Sequence, residues 1–118
     1  MTICEAIARE EGFLVPNSRS ARNNNPGDIE YGSFAKLHGA TRIEVAPAHF
    51  PARFAYFPSV EVGYAAMKAL LQMHYSGMTI EQMLNKYAPP VENATNTYIN
   101  NVCTWTGLTP DTIIDKYL

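Results

Sequence analysis

The run Asn23-Asn24-Asn25-Pro26-Gly27-Asp28 limits the fold of this chain more than any other stretch. Asparagine and aspartate tolerate left-handed backbone and bond their own main chain, proline locks φ and keeps the residue before it out of a helix, and glycine releases the chain. No regular element crosses such a segment. Pro47, Pro51 and Pro58 keep the middle of the chain irregular in the same way. The sequence therefore divides into a short opening segment, an irregular insertion, and a second half of longer stretches separated by Gly77, the Pro89-Pro90 pair and Gly107.

The opening segment reads as a helix. Thr2 followed by Glu5 matches a capping box, Ile3, Ile7 and Glu11 fall at i, i+4, i+8, and Gly12 follows as a C-terminal stop. Glu11 thus lies in line with the apolar stripe, while Glu10 lies roughly 100° around, in line with Ile3 and Ala6. Acids in a last turn oppose the helix dipole, so both carboxylates stand where local energetics disfavour them. Phe13 to Asp28 reads as an ordered loop. Ile29 to Val45, punctuated by Gly32 and Gly39, alternates weakly and predicts short strands or a hairpin. Phe50, Phe54, Tyr56 and Phe57 then supply aromatic surface for a core or a binding platform.

Ser59 caps a helix predicted over residues 60–75, with Val62, Ala66, Ala69, Leu70 and Met73 on one face and Gly77 after it. Thr79 with Gln82 forms a second capping box for a short helix carrying Ile80, Met83 and Leu84, ended before Pro89 and Pro90. Asn93 is placed to cap a fourth helix with Tyr98, Val102 and Trp105, closed by Gly107. Thr109 and Pro110 start a last short helix through Ile113, Ile114 and Leu118. The expected fold is one domain over residues 1–118, mainly α (α+β), with four to five helices and a small irregular β insertion after the first.

At 118 residues there is room for one hydrophobic core. A net charge of -2 provides no basic surface for nucleic acid, and no apolar run reaches the roughly 20 residues of a membrane span, because Lys68, Gln72 and His74 interrupt the longest. Met1 to Glu11 holds three glutamates and lacks the layout of a secretory leader, so export would use another route or a leader already removed. Cys4 and Cys103, at opposite ends of the chain, fit neither a zinc site nor a dense disulfide framework; they read first as buried free thiols and second as a bridge between the first helix and a late one. His38, His49 and His74 are scattered and read as surface or satisfied side chains. No phosphate loop, paired-His metal motif or nucleophile elbow occurs, and neither a metal nor a cofactor is expected.

The chemistry-bearing feature is a glutamate at a helix end beside a loop rich in asparagine and aromatic residues. Glycoside cleavage needs a carboxylic acid that keeps its proton until it meets the glycosidic oxygen, and partial burial beside apolar groups would raise its pKa to that end. Glu11, between the apolar stripe and Phe13, is placed for such tuning. The bland alternative is a solvated helix-end acid.

Ala6-Ile7-Ala8-Arg9-Glu10-Glu11-Gly12-Phe13 is followed by Arg22-Asn23-Asn24-Asn25-Pro26-Gly27-Asp28-Ile29, then by Phe54-Ala55-Tyr56-Phe57-Pro58 leading to Glu61 and Gly63. Tyr87-Ala88-Pro89-Pro90-Val91-Glu92-Asn93 with Thr97, Tyr98 and Ile99 comes last. In order and approximate spacing, these four segments resemble small bacterial and phage lysozyme-like proteins related to goose-type lysozymes and lytic transglycosylases. The resemblance covers nearly the entire chain.

It implies a lysozyme-like fold, cleavage of peptidoglycan glycan strands, and a first-helix glutamate as general acid and base. The Glu-Gly step selects Glu11; a competing match of Ile7-Ala8-Arg9-Glu10 to an Ile-Ser-Arg-Glu pattern selects Glu10. Where the family often has Asn-Pro-Gly-Asn, this turn ends in Asp28, which either activates water in a hydrolase or only bonds the turn. Tyr98 is the tyrosine expected near the catalytic acid, or a core aromatic. Asn24, Asn25, Tyr31, Phe57, Tyr87 and Asn93 are candidate sugar contacts, or loop and packing residues. The implied partner is peptidoglycan, met by a monomer in the periplasm, outside the cell or on a phage particle. The alternatives are a non-catalytic peptidoglycan-binding module and a structural domain of a phage or secretion system.

Overall fold

The computed structural model describes residues 1–118. Six helices and a two-stranded sheet follow in the order α1 (Ile3–Glu10), α2 (Arg19–Arg22), α3 (Ser33–Leu37), β1 (Arg42–Ile43), β2 (Ala55–Tyr56), α4 (Val60–Tyr75), α5 (Ile80–Tyr87) and α6 (Thr95–Thr106), with a closing 3-10 turn at Ile114–Lys116. No helix is long and apolar enough to cross a membrane.

Local chemistry accounts for the helix starts. The Thr2–Glu5 and Thr79–Gln82 capping boxes are both formed, and Ser59 Oγ accepts from the Val62 N–H. Helices α1, α5 and α6 pack together around Ile3, Ile7, Ile80, Met83, Leu84, Ile99 and Val102, all at most 5% exposed, and α4 adds Met67 and Leu71. A smaller core under the insertion holds Ile29, Ala35, Ala55, Phe57 and Ala66. Adjacent residues Ala66 and Met67 enter different cores, so α4 is the wall between the two. Its buried face is Gly63, Ala66, Met67 and Leu71, rotated from the predicted one; Met73 lies off that face and is exposed, while Tyr75, one turn beyond Leu71, still packs against the first core.

Three other expectations are corrected. Residues 29–45 hold no hairpin: Ser33–Leu37 is helical, too short for periodicity to reveal, and is seated by buried Ala35. β1 pairs instead with β2, beyond the prolines, with Arg42 opposite Tyr56 and Ile43 opposite Ala55. The last helix shrinks to a 3-10 turn because Ile113 is extended and bridges to Thr79, with the Ile80 N–H donating to the Thr112 carbonyl at 3.0 Å. Finally, α6 starts after Ala94 without a side-chain cap, and Asn93 donates to the Pro89 carbonyl. Both cysteines are free; Cys4 is buried, which pushes its thiol up to about 12, while Cys103 is only half-buried.

The insertion is held by one buried acid. Glu44 accepts from Arg19 Nε and Nη2 (2.9 and 2.5 Å), Asn23 Nδ2 (3.1 Å) and the main-chain N–H groups of Arg53 and Phe54 (2.9 and 2.8 Å). The Arg19 guanidinium, followed by these N–H groups, holds the Glu44 carboxyl down to about 2 against the cost of burial. A lowered pKa means that this contribution is complete above about pH 4.5 and is lost as pH falls toward 2. Glu44→Ala strips four donor groups of their acceptor and should lower stability by about 2–3 kcal/mol, read as a reduced urea midpoint at pH 7.

Candidate functional site

The helix end that carries the acids is built by Gly12. Its φ of +85° turns the chain out of α1, Phe13 N–H donates back to the Ala8 carbonyl at 2.9 Å, and the buried Phe13 ring meets Tyr64 edge-on at 5.6 Å. Glu11 is the C-cap, its N–H donating to the Ile7 carbonyl at 3.0 Å. From there both acids reach α6. Tyr98 Oη donates to Glu11 Oε1 at 2.9 Å, and Asn101 Nδ2 donates to Glu10 Oε2 at 3.0 Å. Tyr98 and Asn101 are three apart and share a helix face, so one strip of α6 holds both carboxylates at the end of α1.

The two acids differ in setting. Glu10 is half-buried against Asn101, whereas Glu11 is exposed and free to meet a ligand from solvent. Tyr98 itself is 4% exposed, and burial followed by the Glu11 charge drives its phenol far above the ordinary range. It therefore remains a hydrogen-bond donor to Glu11 at any working pH. Glu11 and Tyr98 thus meet across 87 positions of sequence.

Asp28 occupies the left-handed region at φ +47° and is half-buried. Burial first, and the Glu11 charge second, push its carboxyl up to about 6, with Arg19 and Arg53 pulling the other way. Glu11 is exposed, so the partial burial expected at Glu11 is found at Asp28 instead. Turn bonding, the alternative role for Asp28, is performed by Asn25: its Oδ1 accepts from the Ile29 N–H at 3.0 Å and its Nδ2 donates to the carbonyls of Ile29 and Ala55. Tyr87, at the end of α5 and half-buried, is also driven upward, by burial and then by the charges of Glu11 and Asp28. Glu11, Asp28, Tyr87 and Tyr98 therefore form one electrostatic neighbourhood. Two neighbouring carboxyls and two phenols can divide acid and base work between them.

The raised Asp28 carboxyl has a stability signature. The folded state holds that proton more tightly than the ordinary value of 3.8 allows, so the stabilising contribution of protonation is complete below about pH 4 and is lost as pH rises through about 6. Asp28→Asn retains a residue that tolerates left-handed backbone and removes the titration. It should raise Tm above wild type at pH 7.5, with the difference closing below pH 4; thermal melts across that range check both limbs.

Several expected sugar contacts are corrected. Phe57 is 0% exposed and belongs to the core under the insertion, so its ring has no face to offer a ligand. Asn25 is 1% exposed with its amide fully used by the turn. Asn24, at φ +49°, spends its amide on the Phe57 carbonyl at 2.9 Å. Tyr31 and Asn93 stay accessible: Tyr31 is half-buried on the second core with Lys36 5.1 Å above its ring, and Asn93 is exposed, its amide donating to the Pro89 carbonyl. Asn101 and Arg19, which sequence reasoning passed over, act here through Glu10 and Asp28; only the three-residue step from Tyr98 could have pointed to Asn101.

Within the acid cluster Glu11 is exposed, Asp28 and Tyr87 are half-buried and Tyr98 is buried. None of the four cavities includes Glu11, Asp28, Tyr87 or Tyr98; the two largest, about 430 and 370 Å³, share Thr2, Glu5, Lys68 and Leu118 near the chain ends. No group of three or more His, Cys, Asp or Glu side chains is placed to hold a metal ion. No family model and no curated protein matches the chain.

Proposed function

We propose that this protein cleaves the glycan strands of peptidoglycan, as a lytic transglycosylase or lysozyme-type muramidase with a lysozyme-like fold, using Glu11 as general acid and then base. The observation that carries the reading is the Tyr98 hydroxyl bonded to the Glu11 carboxyl at the exposed end of α1, with Asp28 close enough to feel the Glu11 charge. The mainly helical architecture with a small sheet in its insertion supports the reading. Glu11 protonates the glycosidic oxygen as the bond breaks, and the substrate's N-acetyl oxygen stabilises the anomeric carbon. In the anhydro-forming route Glu11 then takes the proton of the sugar 6-hydroxyl as that oxygen closes on the anomeric carbon. In hydrolysis a water is the nucleophile, and ionised Asp28 takes its proton if the carboxyls stand roughly 6.5–9.5 Å apart. The place of action is wherever the wall is accessible: periplasm, cell exterior or phage particle.

Incubation of the full chain with purified sacculi, followed by mass spectrometry of released fragments, tests this directly. The anhydro and reducing-end products differ by one water, so the spectrum names the route. A second reading, a non-catalytic peptidoglycan-binding module, draws support from the open surface around Glu11, which no cavity encloses. It predicts sedimentation with sacculi and no fragments; absence of both release and sedimentation eliminates the two readings together.

A further inference from the structure

Arg22, at the end of α2, and Arg42, in β1, line one cleft of about 140 Å³ together with Asn23, Glu44 and Val45. Neither guanidinium has a carboxylate partner, since the molecule's two ion pairs are Arg19–Glu44 and Arg53–Glu30. Both are nonetheless held in place. Arg22 Nη1 donates to the Asn17 carbonyl at 2.5 Å, and Arg42 Nη1 donates to the Ile43 carbonyl at 3.1 Å while its guanidinium lies 3.9 Å over the Tyr56 ring. Each contact uses one of the five N–H donors that a guanidinium carries, leaving the others available.

The one acid lining the cleft does not neutralise them. Both Glu44 oxygens are occupied by Arg19, Asn23 and the Arg53 and Phe54 N–H groups, and the Arg19 charge cancels that of Glu44. Two unpaired like charges on one small cleft repel until an anion sits between them. The volume is roughly four to five water equivalents, enough for one tetrahedral or planar oxyanion and too small for a sugar ring with its shell. Guanidinium groups match the oxygens of carboxylates and phosphates with paired N–H bonds. We infer that the Arg22–Arg42 cleft is an oxyanion-binding site that takes a single carboxylate or phosphate group. No residue of the Glu11–Tyr98 cluster lines it, so the site does not depend on the proposed glycan cleavage.

The test uses the full chain, isotopically labelled, titrated with sodium phosphate, with sodium acetate and with sodium chloride at matched ionic strength. Saturable shifts of the Arg22 and Arg42 Nε–H resonances, with Arg9 unmoved, are expected in at least one oxyanion arm, and the stronger arm identifies phosphate or carboxylate as the group recognised. Arg22→Gln and Arg42→Gln should each weaken that binding by roughly tenfold or more, and Glu11→Gln should leave it unchanged. Shifts that never saturate, that chloride reproduces, or that persist undiminished in both arginine variants would overturn the proposal.

Discussion

Glu11→Gln should reduce release of wall fragments from sacculi by on the order of 10²–10⁴-fold while the protein remains folded. Glutamine has the same shape, and its amide oxygen can still accept from Tyr98, so the α1–α6 contact survives. It cannot deliver or remove a proton. Glu11 is exposed, and surface substitutions generally change stability by no more than about 0.5 kcal/mol, so a lost rate cannot be attributed to lost fold. Glu10→Gln is the matched control: its carboxyl is engaged with Asn101, and activity near wild type is expected. If Glu10→Gln is the silent enzyme and Glu11→Gln the active one, the catalytic assignment passes to Glu10. Tyr98→Phe removes the donor without opening the core and should have a smaller effect than Glu11→Gln. An independent readout accompanies the kinetics: removing the Glu11 charge takes away a cause of the raised Asp28 carboxyl, so its titration, followed by carbonyl NMR, should move down from about 6.

Gly63→Ala should lower stability by about 3 kcal/mol or more. On helix propensity alone the change favours the variant by about 1 kcal/mol, since alanine is the better helix former. Packing decides the opposite. A Cβ at residue 63 would lie 1.9 Å from the Asn24 carbonyl oxygen and 2.9 Å from Pro26 Cδ, and the first of these is main chain, which no rotamer change can move aside. Overpacking typically costs 1–3 kcal/mol and occasionally more, and here the helix and the turn must separate. For a chain of this size a Tm loss of at least roughly 10 °C follows. The turn also carries Asn24, bonded to the Phe57 carbonyl, and Asp28, so separation should shift the Asp28 titration as well. A Tm equal to or above wild type would mean that α4 and the turn are not in the contact described.

Much of the helical half was legible in the residues. Capping boxes are local, Thr2 with Glu5 and Thr79 with Gln82, and residues three apart decide them regardless of the remaining chain. The limits of α4, the stop at Gly12 and the left-handed Gly107 likewise follow from near neighbours. The insertion was not legible, because its elements are two to five residues long and draw their stability from distant partners: β1 from β2 across the proline loop, α3 from the core under Phe57, and the whole from Glu44. Phe57 and Asn25 looked like ligand contacts for the same reason, since an aromatic ring or an amide in a loop has no local signal of burial.

The site divides along the same line. Sequence by itself put Glu11 at a helix end before a glycine, in register with Ile3 and Ile7, and an Asn-Pro-Gly turn downstream. Only the tertiary structure decided that Tyr98 reaches Glu11, that Asn101 occupies Glu10, and that burial raises the Asp28 carboxyl. Helix ends and turns are set within about four residues by hydrogen bonds and φ preferences. Burial and through-space charge depend on which elements pack together, and here that rests on an α4 glycine small enough to let the turn approach.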